Sequence, residues 1–91
     1  MNIYQHELQQ LKPDDIVYEP KLSEYKMDLG YFFMPTASHG YLIVPKNDSW
    51  AGLAGKMCKF GYTGKLAYYL EEDLEAPEFL TMIGNFTKEV K

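Results

Sequence analysis

The densest chemistry in this chain is acidic. Glu71, Glu72, Asp73, Glu75 and Glu78 set five carboxylates within eight residues. Apart from them stands His39, in the run Ser38-His39-Gly40-Tyr41, where turn residues lead into an apolar stretch. An imidazole titrates near neutrality, and loops between strands commonly carry functional groups. With a divalent cation, His39 and the Glu71–Asp73 acids would make a small metal-dependent hydrolase or nuclease. Side chains alternate along a strand, so Glu71 and Asp73 would converge and Glu72 would face away. No EF-hand loop and no histidine–acid metal motif accompanies them. The preferred expectation is a surface that faces another protein. Crowded carboxylates repel one another, a helix N-terminus offsets part of that, and a basic partner would offset more. The expected partner-binding residues are Glu71, Glu72, Asp73, Glu75, Glu78, His39 and Tyr41, with no catalytic residue, no bound metal and no cofactor.

Other chemistries lack their parts. Cys58 falls in an apolar helical stripe, the usual place of an inert thiol. One cysteine and two separated histidines do not make a structural zinc site. Ser23, Ser38 and Ser49 have no nucleophile-elbow context. Gly55-Lys56 and Gly64-Lys65 resemble the end of a phosphate loop, but no Ser or Thr follows either lysine, and Trp50 and Lys59 stand where the earlier glycine belongs. The lysines from Lys46 to Lys65, interleaved with Trp50, Phe60 and Tyr62, loosely suggest a nucleic-acid surface. Against it stand a net charge of −4 and nine basic residues that are all lysine. Arginine is the usual bidentate reader of guanine and phosphate, and a net negative chain has no long-range attraction to DNA. Direct nucleic-acid binding is therefore not expected.

The elements that must position these groups follow from periodicity. Asn2 caps a first helix, with Gln5 three residues on, and Tyr4, Leu8 and Leu11 line one face before Pro13 closes it. Residues 13–27 form an extended connector, with Ile16-Val17-Tyr18 as an edge strand. Residues 30–34 and 41–44 are strands joined by the turn residues 35–40, an antiparallel hairpin. Leu42 and Val44 face one side, Tyr41 and Ile43 the other. A helix capped by Asp48 or Ser49 carries Trp50, Leu53, Ala54, Met57 and Cys58 toward the core. Gly52 and Gly55 either weaken that helix or mark a close approach. A second hairpin spans Lys59 to Leu70, with Leu66, Tyr68 and Leu70 on one face. Pro77 suits the first turn of a last helix, with Phe79, Ile83 and Phe86 as its apolar stripe, Met82 and Val90 beside it, and an end or kink at Gly84-Asn85.

This order defines a single α+β domain, a small antiparallel sheet of two hairpins packed with two to three helices. The 91 residues, 46 % hydrophobic and 24 % charged, suit one modest core. No apolar run is long enough to span a membrane, no secretory signal is visible at the start, and the lone cysteine fits a reducing, cytoplasmic setting. The strings from Ser38 to Pro45 and from Tyr69 to Leu80 resemble a pattern, HGYLxV followed by YLEEDxxAPxFL, of small uncharacterised bacteriophage- and plasmid-borne proteins. The resemblance covers roughly residues 31–83 and implies a mobile-element origin with no assigned activity. The function expected is a small acidic non-enzymatic protein-binding module, a phage or mobile-element inhibitor of a host defence or nucleic-acid-processing protein.

Overall fold

The computed structural model describes residues 2–18 and 31–89, and of 85–89 the backbone alone. Its elements run α1 (Ile3–Leu11), β1 (Phe32–Pro35), β2 (Gly40–Pro45), α2 (Ala51–Met57), β3 (Tyr62–Thr63), β4 (Ala67–Glu71) and α3 (Glu75–Glu89). The strands form one antiparallel sheet in the order β1-β2-β4-β3. This is the α+β fold of two hairpins that the sequence predicts. The hairpins join through β2 and β4, where Tyr41 lies opposite Glu71 and Leu42 opposite Leu70.

Both faces of the sheet are covered. Leu42, Val44 and Leu70 turn toward Ala54 of α2 and toward Ala76, Phe79 and Ile83 of α3, with Tyr31 edge-on to Phe79 at 5.7 Å. Tyr41, Ile43 and Tyr69 turn the other way, with Met34, Val17 and Leu8 of α1. A sheet sandwiched between helices buries alternate residues on both sides, so β2 reads as a continuous apolar run.

Local chemistry sets the helix boundaries. Asn2 Oδ1 accepts the Tyr4 N–H at 2.8 Å, as a cap should. Gln5 does not complete a capping box; it is buried and donates to the Val17 carbonyl instead. Val17 pairs with Thr36 as a single bridge beside β1, so the expected edge strand shrinks to one position. Residues 19–27 of the connector and Gly30 lie outside the described residues. The helix expected from Trp50 begins one residue later. Asp48 accepts the Trp50 N–H at 2.9 Å and the Tyr31 hydroxyl at 2.6 Å, and these bonds hold the turn that precedes α2. Trp50 is half-buried against the core rather than sealed within it. Leu66 is exposed and does not share the buried face of Tyr68 and Leu70. α3 starts at Glu75 and continues past Gly84-Asn85, while Phe86 and Val90 fall outside the described side chains. No helix among the described residues is long and apolar enough to cross a membrane.

The two glycines of α2 differ in purpose. A Cβ at Gly55 would press on the Tyr68 ring tip at 2.9 Å, whereas Gly52 faces open space. Gly52→Ala is therefore expected to stabilise the domain by about 1 kcal/mol through helix propensity alone. Gly55→Ala should gain less. Urea midpoints of the two variants measure the difference.

Candidate functional site

The β1–β2 turn and the β4–α3 turn meet at one end of the sheet, where they form an open cleft of about 460 Å³. Lys12, Tyr41, Tyr62, His39, Asp73 and Leu74 line it. Its floor is aromatic. The Tyr41 and Tyr62 rings meet edge-on at 5.7 Å, Lys12 Nζ lies 5.1 Å from the Tyr41 ring centre, and it donates to the Tyr41 hydroxyl at 3.0 Å. Lys12 also pairs with Asp15 at 3.3 Å. Burial would lower the Lys12 ammonium, but the Tyr41 hydroxyl and Asp15 outweigh it and raise its pKa above the ordinary value. The Ser38 hydroxyl, donating to Asp15, is the largest cause holding that carboxyl far below the usual range, against the opposing effect of desolvation.

His39 is placed by its own turn. Its N–H donates to Thr36 Oγ1 at 3.0 Å, and its carbonyl accepts the Thr36 N–H at 2.7 Å. The imidazole remains half exposed, with Nδ1 3.5 Å from Glu71 Oε1.

The five acids do not form one exposed surface. Glu71 and Glu75 are each 5 % exposed. Glu71 Oε2 accepts the Asp73 N–H at 2.9 Å, which closes the turn after β4. Glu72 accepts the Gly40 N–H at 3.1 Å while its own N–H donates to the Gly40 carbonyl at 2.9 Å, a latch on the first residue of β2. Glu75 accepts from Gly61 at 2.6 Å, Phe60 at 3.2 Å and Glu71 at 3.3 Å. Three of the five carboxylates thus satisfy backbone donors within the domain, and Asp73 and Glu78 stay exposed. Tyr41, expected at the surface, is 2 % exposed and belongs to the cleft floor. The reason is shared: main-chain N–H groups at turns need acceptors, and nearby carboxylates supply charge-assisted ones.

Sequence reasoning missed two further groups. Phe60 and Leu74 are 66 % and 49 % exposed and both border the cleft. They also border a second hollow of about 430 Å³, lined by Lys56, Lys59 and Glu78, so they form a ridge between the two. For Leu74 the signal is a lone apolar residue in a charged run, between Asp73 and Glu75, whereas Phe60, in Cys58-Lys59-Phe60-Gly61-Tyr62, carries no such mark. Glu7, on α1, gives no signal in the sequence. It accepts from Lys65 N at 2.7 Å, Leu66 N at 3.1 Å and the Tyr69 hydroxyl at 2.7 Å, tying α1 to the second hairpin.

Burial alone would raise the Glu7 carboxyl, but these donors outweigh it and hold it below its ordinary 4.5. A depressed folded-state pKa contributes stability that is complete above the unfolded value and lost as pH falls through the folded one. Acidification from neutral to below 4.5 should therefore loosen α1 first, with wild type losing more stability than Glu7→Gln over that interval. Melting temperatures of the two proteins against pH read this out. Burial, with the Glu75 charge adding, pushes the Cys58 thiol up despite the Thr63 hydroxyl, and this disfavours its thiolate.

The fold and this end of it define a small α+β domain that presents an aromatic-floored cleft and an exposed apolar ridge. No protein-family model matches the chain, and no curated protein or solved structure matches it.

Proposed function

We propose that this domain is a non-enzymatic protein-binding module that docks through the Phe60–Leu74 ridge. The ridge itself is the observation that carries the reading. Two large apolar side chains, both exposed and both bordering the same two hollows, with charge around them, have the make-up of a binding hot spot. The partner that fits is a protein with an apolar groove and charges of both signs at its rim, a basic group to meet Glu78 and acidic groups to meet Lys56 and Lys59. Phe60 is held at its backbone by Glu75, so little ordering entropy is lost on docking. The finer reading is a phage or mobile-element inhibitor whose target is a host defence or nucleic-acid-processing protein. It draws support from the resemblance in the sequence and from the net charge of −4. A hydrolase or nuclease using His39 and the Glu71–Asp73 acids has less support. A phosphate substrate needs cationic groups at its site, and among the described residues Lys12 is the one lysine lining the cleft, already engaged by Tyr41 and Asp15.

The test is comparative capture from host lysate with wild type, Phe60→Ala, and Phe32→Ala as a control from the exposed edge strand. A hot-spot truncation costs about 2 kcal/mol or more of binding, roughly thirtyfold in affinity. The partner should be lost with Phe60→Ala and kept with Phe32→Ala, with melting temperatures unchanged. Equal capture by all three proteins, or self-association through the ridge in place of a partner, would refute the proposal.

A further inference from the structure

His39, Glu71 and Asp73 each bring a ligand atom within 4.8 Å of the other two, although His39 comes from the β1–β2 turn and the acids from the end of β4 and the turn after it. We propose that they hold a divalent transition-metal ion of the zinc class at the mouth of the cleft. The proposal is independent of the docking ridge. Two observations carry it. His39 Nδ1 and Glu71 Oε1 stand 3.5 Å apart. That is long for an N–H···O bond, yet metal bonds of about 2.0–2.1 Å in a tetrahedron set ligand atoms about 3.4 Å from one another. The pair already has the spacing that such an ion requires. Separately, the Glu71 side chain is 7 % exposed, and its two oxygens are used unequally. Oε2 accepts the Asp73 N–H, while Oε1 has the imidazole as its partner. An ion between them would replace this one long contact with two short bonds.

The donor set selects the metal. One imidazole nitrogen beside two carboxylates suits zinc, whereas magnesium and calcium favour all-oxygen shells. Asp73 is exposed and can swing inward to complete the set without disturbing the core. Three protein ligands leave a coordination position open to water. Closure around the ion would also tie the His39 turn to the start of α3.

The experiment is calorimetric titration of Zn²⁺ into the full chain at neutral pH, followed in parallel by the His39 ring resonances. The expected result is one ion per chain, a shift of the His39 ring signals, and a raised melting temperature, because the ion binds the folded state alone. His39→Ala and Asp73→Asn, both at exposed positions, should each weaken binding by more than about tenfold, since even outer-shell partners are worth about 10–100-fold. Unmoved His39 resonances at millimolar Zn²⁺, or affinity retained in both variants, would overturn the proposal. Thermal melts of both variants verify that each is folded.

Discussion

Glu75→Ala is expected to unfold the domain or to lower its melting temperature sharply. The carboxylate is buried and accepts three main-chain N–H groups, from Phe60, Gly61 and Glu71. It stands in the first turn of α3, where a negative charge is favoured by the helix N-terminus. Truncation leaves these donors facing a void. A buried donor left unsatisfied costs about 1–3 kcal/mol, and solvent can reach Phe60, so a net loss of about 3–4 kcal/mol is expected. A domain of this size holds about 5–15 kcal/mol in total. Glu75→Gln keeps an acceptor oxygen in place and should lose roughly half as much. Urea unfolding of wild type and both variants checks the ranking, and near-equal midpoints would show that the loop before β3 is held by packing instead. The same clamp supports the docking ridge, so Glu75→Gln should also weaken partner capture while the domain remains folded.

Gly40→Ala is expected to have a comparable effect for a steric reason. The Phe33 ring lies over Gly40 so closely that a Cβ there would overlap it, with Glu72 Oε2 2.8 Å away on the same side. Gly40 opens β2 opposite Pro35, and the Glu72 latch grips both its N–H and its carbonyl. Overpacking of this kind typically costs about 1–3 kcal/mol, and loosening the latch adds to it. The cause is separable. In the background of Phe33→Leu, the same Gly40→Ala change should cost much less, and a double-mutant cycle on thermal or urea data measures the coupling. Additive losses would show that the glycine is required for its backbone and not for the ring above it. The His39 turn leads directly into Gly40, so zinc affinity should fall with Gly40→Ala and recover in the double variant.

The order of elements and the two faces of β2 were legible from residue types and spacing. Asn2, Pro13 and Pro77 mark helix ends through their own backbone chemistry, and the two-residue alternation separates Leu42 and Val44 from Tyr41 and Ile43 before any tertiary contact forms. The convergence of Glu71 and Asp73 follows from the local turn that the Asp73 N–H closes on Glu71, since β4 ends at Glu71, and not from strand alternation. Its continuation to His39 depends on β2 pairing with β4 across the intervening helix and hairpin. The fate of the acids was equally out of reach. A run of carboxylates looks alike in sequence whether each meets solvent or an N–H group, and the choice for Glu72 and Glu75 was made by donors on Gly40, Phe60 and Gly61. Glu7 shows this at greater separation, accepting from Lys65 and Leu66 in the far hairpin. Sequence by itself thus determined the local elements and their buried sides, which short-range sterics and hydrophobic periodicity dictate. Tertiary structure alone decided which polar groups are structural and which, with Phe60 and Leu74, stand free at the surface, because hydrogen-bond satisfaction and exposure depend on partners distant in the chain.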